Sequence, residues 1–362
     1  MNPCILLVDD ETDNLRILAD FLYKANPACK ILKAKNGVMA LKILEKETPD
    51  LILTDWNMPG LNGLELLIKV KELEKTRFVP VIMQTANTED FHLRQAFEEG
   101  ATDYIKKPIN EVELLARVRS ALAFNKARLE SERLLLNIFP QDIIDDLKPD
   151  GASEPRYYEL VSPLFTDFKG FTQVSARMTP KEVLAELNDC FSRFDEITEK
   201  YGMEKIKTIG DAYMCVGGLP KPNRSNPVDA VLTGLEMQRF MKQRFEERQG
   251  HYWQCRLGIN SGEAIAGVIG KKKFAYDIWG DTVNVASRME SHGEVNEVNI
   301  SAKTYELVKD FFLCEARPLI EVKGKGVMKA YFVRQIHTEL SLNQEGVEPN
   351  QIFWDKYWEQ FE

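Results

Sequence analysis

The stretch LILTDWNMPG, residues 51–60, sets an aspartate at the end of a short apolar run, with a proline–glycine turn just behind it. A run that short, closed by Pro59 and Gly60, reads as a buried strand rather than a helix. Working outward, runs of the same kind lie at Ile5 to Val8, Val79 to Met83 and Tyr104 to Ile105, separated by amphipathic helical patterns. The alternation predicts an α/β fold over residues 1–125, a doubly wound parallel sheet covered by helices. In such sheets reactive groups gather at the carboxyl ends of the strands. Here those ends carry Asp9, Asp10, Asp55, Thr85 and Lys107.

These residue types suit the acceptance of a phosphoryl group on a carboxylate. That reaction needs a nucleophilic acid, a divalent cation to neutralise the oxygens, and a fixed cation to hold the product. ILLVDDE supplies Asp9 and Asp10 as acids on the metal side, LILTDWNMPG supplies Asp55 as nucleophile, and YIKKP supplies Lys107 just before Pro108. A lone aspartate would read as a solvated loop carboxylate, but four matched positions in order outweigh that reading. The set resembles the receiver domain of bacterial response regulators over the first third of the chain. The resemblance implies a five-stranded sheet and phosphorylation of Asp55 by a histidine kinase or another phosphodonor. It also implies Mg2+ between Asp10, Asp55 and the backbone at Asn57, with Asp9 beside it. Lys107 would then contact the phosphoryl group, with Thr85 closing on it and Tyr104 turning inward. Lys106 reads as a surface charge.

Residues 158–336 run strand, helix, hairpin-like strands and helix again, with no repeat period. LFTDFKGFT, residues 164–172, and KTIGDAYM, residues 207–214, put Asp167 and Asp211 behind strand-like runs. Adjacent strands of one sheet would bring the two acids together. Cyclising a nucleoside triphosphate asks for such a pair, because two cations must stabilise the entering and leaving oxygens. Gly170, Phe171 and Thr172 lead into a helical pattern whose backbone N–H groups could cradle a phosphate. Taken singly, Asp167 reads equally as a helix N-cap and Asp211 as a turn residue. FAYDIWGDTVNVASRME, residues 274–290, and VKGKG, residues 322–326, shift the balance. Asn284 and Arg288 are four apart and share a helix face, where an amide and a guanidinium could orient ribose and stabilise charge on the reacting phosphate. Lys323, in its glycine-flanked loop, could reach the terminal phosphates.

Together these segments resemble the catalytic domain of class III adenylate and guanylate cyclases, from about residue 158 to 334. The resemblance implies an α+β domain with a ferredoxin-like, palm-type sheet. Asp167 and Asp211 would hold two Mg2+ or Mn2+ ions, joined by the backbone carbonyl of Phe168. Asn284 and Arg288 match the transition-state pair, Lys323 the triphosphate lysine, and Phe171 and Thr172 the phosphate-binding turn. Lys207 can donate to adenine N1 and Asp277 can accept from the exocyclic amine. Guanylate enzymes of the family carry Glu and Cys-like residues at these two positions, so conversion of ATP to cyclic AMP is expected. A guanylate cyclase and a non-catalytic nucleotide-sensing domain are the alternatives; a cyclic-di-GMP synthase would need a GG(D/E)EF signature that the sequence lacks. Glu263 departs from some heteromeric relatives, which place an arginine near phosphate there. In this family the metal acids and the other two sets act across a subunit interface, so a chain carrying all of them implies a homodimer.

Between the two regions Leu115, Leu122, Leu129 and Leu136 recur every seven residues, with Val118 and Asn125 at the alternating offset and Glu132 as a flaw. This predicts a two-stranded seam leading into a helical coiled-coil linker over 126–157, with Asn125 selecting the dimer; an amphipathic helix packed on its own domain is the alternative. The helix should break near Phe139-Pro140 and resume from Ile143 to Leu147, before a boundary at Pro149, Asp150 and Gly151. The tail, 337–362, ends in an aromatic stripe of Phe353, Trp354, Tyr357, Trp358 and Phe361, read as a docking helix. A formal charge of -9 disfavours a nucleic-acid partner. Six scattered cysteines with no CxxC pair fit a reducing cytoplasm better than a zinc site or a disulfide framework. No apolar run approaches the roughly 20 residues of a membrane span, and the first ten residues do not make a signal peptide. A cytoplasmic protein without membrane insertion is expected.

Overall fold

Residues 1–135 and 136–362 form two separate units in a computed structural model, which describes residues 2–86, 90–136, 139–146, 154–250, 252–270, 274–322, 325–343 and 345–362. The expected helix end at Leu147, the boundary at Pro149 to Gly151, and Lys323 lie outside the described residues.

The first unit alternates strand and helix throughout: β1 (Cys4–Val8), α1 (Thr12–Ala25), β2 (Lys30–Ala34), α2 (Gly37–Leu44), β3 (Leu51–Asp55), α3 (Gly63–Glu72), β4 (Val81–Thr85), α4 (Asp90–Glu98), β5 (Asp103–Lys106) and α5 (Glu111–Leu136). All strand neighbours are parallel, in the order β2-β1-β3-β4-β5, the doubly wound sheet that the alternation predicts. Helices cover both faces, so β3 and β4 are buried along their whole length and read as continuous apolar runs rather than alternating ones. Leu6, Ile52 and Met83 face one helical layer, and Leu7, Leu53 and Ile82 face the other.

The structure corrects the reading of α5. Leu114, Val118, Ala121 and Asn125 form its buried stripe, and Leu115 and Leu122 flank the same core. Asn125 is 4% exposed; its Nδ2 donates to the Asp50 carbonyl at 3.0 Å and its Oδ1 accepts from Arg128 at 3.3 Å. Asn125 therefore anchors the helix to its own sheet instead of selecting a coiled-coil register. Seven residues are close to two turns of any helix, so a heptad spacing marks an amphipathic face without saying what covers it. Leu129, Leu134, Leu135 and Leu136 in the last turns are exposed, as are Val112 and Phe124 earlier in the helix.

The second unit contains α6 (Gln141–Asp146), β6 (Arg156–Lys169), α7 (Phe171–Ser175), α8 (Pro180–Lys200), β7 (Glu204–Ile209), β8 (Ala212–Gly217), α9 (Asn226–Glu247), β9 (Gln254–Ile259), β10 (Gly262–Ile269), β11 (Ala275–Trp279), α10 (Asp281–Ser291), β12 (Val298–Ser301), α11 (Ala302–Val308), β13 (Phe312–Ala316), β14 (Ile320–Val322), β15 (Gly326–Met328), β16 (Ala330–Ile336) and α12 (Gln351–Phe361). Its main sheet runs β11-β10-β6-β9-β12-β16-β13, with β8 also on β6 and β7 on β8. The 14-residue β6 thus pairs with three strands, and both halves of the functional region hang from it. Leu164, Phe168, Phe194, Tyr213, Trp253 and Leu257 lie in the main core.

The aromatic tail docks on its own domain. Phe353 is fully buried, 5.0 Å from the ring of Phe311, and the Tyr357 hydroxyl donates to Asp229 Oδ1 at 2.8 Å. Residues 337–362 accordingly belong to the second unit. No helix among the described residues is long and apolar enough to cross a membrane.

Candidate functional site

In the first unit the parallel sheet delivers β1, β3 and β5 to one edge with their carboxyl ends together. Asp9, Asp10 and Asp55 each present a carboxylate oxygen there, all within 4.8 Å of one another. Lys107, just past β5, pairs with Asp55 at 2.8 Å and with Asp9 at 3.2 Å. Burial pushes the Asp55 carboxyl up against the opposing pull of Lys107, and the Asn57 backbone N–H donates to it. Burial pulls the Lys107 ammonium down, but Asp55 and Asp9 outweigh this and hold it above its ordinary value. Three clustered oxygen donors with one fixed cation fit a hard divalent ion such as Mg2+. Thr85 is buried at the end of β4; Tyr104 stands edge-on to Phe97 at 6.2 Å, with Arg117 over its ring at 5.5 Å. Lys106 is exposed, as its reading requires.

In the second unit the acids meet by hairpin geometry. β7 and β8 pair antiparallel around a two-residue turn, where Gly210 at φ +64° supplies the left-handed first position and Asp211 the second. β8 pairs with β6, so this turn comes back to the end of the strand that carries Asp167. Asp211 accepts from the Phe168 backbone N–H and touches Asp167; burial raises its carboxyl, and the Asp167 charge adds to the rise. Two adjacent carboxylates with depleted hydration suit shared cations. Phe168 itself is buried, its ring stacked on Trp253 at 5.3 Å. Gly170, at φ +73°, starts α7 without a side-chain capping hydrogen bond, which leaves the backbone N–H groups at Phe171 and the exposed Thr172 uncapped by it.

Lys207 on β7 forms an ion pair with Asp277 on β11, which brings a donor and an acceptor from distant strands to one point. Asn284 and Arg288 share the exposed face of α10, and neither side chain has a hydrogen bond or ion pair among the described residues. The opposite face of α10 presses on β9 so closely that a Cβ at Gly258 would lie 1.9 Å from the Glu290 nitrogen. Glu263 accepts from the Tyr157 hydroxyl at 2.6 Å.

Profiles of known families match residues 5–119 as a response regulator receiver domain and residues 154–335 as an adenylate and guanylate cyclase catalytic domain. The chain belongs to the class III nucleotide cyclases. Its cyclase domain follows a receiver domain, and class III domains use divalent metal ions. An adenylate cyclase of Mycobacterium tuberculosis is 38% identical over 204 residues, 56% of this chain and 46% of that protein. The human atrial natriuretic peptide receptor 2 is 33% identical over 252 residues, 67% of this chain and 24% of that protein. The cyclase thus spans less than half the length of these curated relatives. A solved bacterial light-regulated adenylyl cyclase, 21% identical, aligns with a TM-score of 0.52 over 70% of this chain and 72% of its own, a likeness of fold.

Two charged residues at the cyclase acids were not singled out by motif or spacing. Arg256 on β9 stands directly across from Asp167 in the antiparallel register and forms an ion pair with it, and Glu290 on α10 lies 3.2 Å from the same guanidinium. Burial pushes the Glu290 carboxyl up to about 6, with Arg256 opposing and Asp167 adding to the rise. The pairing of β6 with β9 is the signal that could have found Arg256, whereas Glu290 follows from the packing of α10 on β9.

Proposed function

We propose that the chain is an adenylate cyclase that converts ATP to 3',5'-cyclic AMP and pyrophosphate at the interface of a homodimer, and that phosphorylation of Asp55 regulates it. The observation that carries the substrate choice is the pairing of Lys207 with Asp277. The ammonium can donate to adenine N1 and the carboxylate can accept from the exocyclic amine, so adenine satisfies both groups that now satisfy each other. Against guanine the aspartate would lose its amine.

In the reaction the ribose 3'-oxygen bonds to the α-phosphorus and the bond to pyrophosphate breaks. Asp167, Asp211 and the Phe168 carbonyl would hold two Mg2+ or Mn2+ ions, which supply positive charge to the entering and leaving oxygens. Phe171 and Thr172 offer backbone N–H groups to phosphate, and Lys323 reaches the terminal phosphates. Asn284 orients the ribose and Arg288 meets the charge on the reacting phosphate. Both are exposed and have no side-chain partner among the described residues, which suits service to a nucleotide held by a second copy.

For regulation, a histidine kinase or small phosphodonor phosphorylates Asp55, with Mg2+ at Asp9, Asp10 and Asp55 and the Asn57 backbone. Lys107 holds the product, Thr85 closes on it, and Tyr104 responds. The exposed leucines at the end of α5 then change how two copies pair. The proposed setting is cytoplasmic, with neither nucleic acid nor membrane insertion.

The test is turnover of ATP and of GTP by the purified chain with Mg2+ or Mn2+, with and without an acyl-phosphate donor. Cyclic AMP formation that rises with the donor is expected. Preferential use of GTP overturns the reading of Lys207 and Asp277, and no turnover of either nucleotide favours a nucleotide-sensing domain. Replacing Asp55→Asn should remove the stimulation and leave the basal rate; equal stimulation in this variant overturns the regulatory reading.

A further inference from the structure

We propose that Arg256 is the resident counter-cation of Asp167, that it moves wholly onto Glu290 when a divalent ion arrives, and that this exchange sets the metal affinity of the cyclase site. The inference rests on the reading of Asp167 as a metal ligand.

The register of β6 against β9 sets Asp167 opposite Arg256, so both side chains leave the same face of the sheet. One nitrogen, Nη2 of Arg256, serves two acids: it pairs with Asp167 Oδ2 and lies 3.2 Å from Glu290 Oε1. Arg256 pairs with Asp167 and Glu290, and Asp211 lies against Asp167, so one guanidinium serves a cluster of three carboxylates. It cannot neutralise them all, and the charge left over is an attraction for a cation.

The second resting place is already built. Arg256 Nε and Glu290 Oε1 are both buried and both lack a hydrogen bond, although the two side chains touch. Turning the guanidinium away from Asp167 allows a forked contact with Glu290 that would use both atoms. Glu290 is a fixed target. Its backbone is clamped where α10 meets Gly258, and its Oε2 accepts from the Ser291 hydroxyl at 3.2 Å. Because Nη2 already reaches both acids, the exchange is a rotation of one side chain.

A metal ion must therefore compete with Arg256 for Asp167, while Glu290 competes with Asp167 for Arg256. Neutralising either member of the pair shifts metal affinity, but in opposite directions. Arg256→Gln frees Asp167 and should tighten Mn2+ binding; Glu290→Gln leaves Arg256 with Asp167 alone and should weaken it, each on the order of tenfold. Arg256→Lys keeps the charge and should stay near the parent. A purely structural contact would give shifts of one sign or none, and fixed charges would give opposite but independent shifts; exchange requires that Glu290→Gln lose its effect in an Arg256→Gln background, and an undiminished effect there overturns it.

The experiment measures Mn2+ bound to the full, nucleotide-free chain from the loss of the free-ion electron paramagnetic resonance signal. An Asp10→Asn background reduces binding at the receiver cluster, and melting temperature against Mn2+ concentration is the second readout. Opposite shifts for Arg256→Gln and Glu290→Gln are expected; shifts of the same sign, or none, overturn the proposal. If Glu290→Gln does not fold, tighter binding by Arg256→Gln than by Arg256→Lys supports the exchange and equal binding overturns it. Asp167→Asn separates the two levels. Unchanged Mn2+ binding in that variant removes the reading of Asp167 as a ligand and the inference with it, whereas lost binding without opposite shifts removes the inference alone.

Discussion

At the edge of the first sheet three carboxylates and the lysine that pairs with two of them meet within one chain; in the second unit two carboxylates meet beside Arg256, while Asn284 and Arg288 are exposed with no side-chain partner among the described residues. The difference follows from strand direction. A parallel sheet points every carboxyl end to the same edge, so residues far apart in sequence converge without further help. An antiparallel sheet sends alternate ends to opposite edges, and its reactive groups are spread over separate turns and faces. On the proposed reading, the first arrangement completes a site in one chain and the second needs two.

The largest expected effect tests that contrast directly. Asp167→Asn and Arg288→Ala should each lower cyclic AMP formation by on the order of 10²- to 10³-fold. Mixing the two inactive chains should restore about a quarter of the parent rate, since one in two dimers then holds one intact site. No recovery on mixing would mean that the antiparallel unit completes its site alone, and the contrast would break. Next in size, Lys207→Glu combined with Asp277→Cys should move preference from ATP towards GTP by roughly tenfold or more, read from the ratio of kcat/KM values. A ratio that stays put would move purine selection to other residues.

Two smaller effects concern stability and sharpen the comparison from the packing side. Tyr357→Phe removes the hydroxyl that donates to buried Asp229 and should cost the second unit about 1–3 kcal/mol, leaving the first unit's transition in place during denaturant unfolding. The smallest effect should come from Glu204, whose carboxyl is pushed up to about 7 by burial at the start of β7. Between roughly pH 4.5 and 7 the folded state then holds a proton that the unfolded state has released, so stability falls as pH rises through this window. Glu204→Gln removes the penalty. It should melt a few degrees above the parent at pH 8 and show no such gain below pH 4.5.

The parts of the fold that could be read early are those with local causes. An apolar run, an acid and a turn are written in consecutive residues, which is why Asp55, Asp167 and Asp211 are legible at strand ends and turns from the sequence alone. Asn284 and Arg288 were placed on one helix face by their spacing, and they share the exposed face of α10. The long helix is less legible. Leu115 to Leu136 and Asn125 repeat in a way that fits a partner helix or the chain's own sheet equally well, because periodicity reports a face and not what covers it. The aromatic tail was legible as a packing stripe, but its seat against Phe311 and Asp229 was not.

By itself the sequence determined the order of elements, the acids at their ends and the helical faces, because each depends on neighbours within a turn or a strand. Tertiary structure alone decided that Lys207 meets Asp277 and that Arg256 stands against Asp167 and Glu290. The contacts of Lys207 with Asp277 and of Arg256 with Asp167 join residues 70 and 89 positions apart through the sheet. Register is set by the burial of whole sheet faces and by the hairpins between strands, and no short stretch of residues contains it.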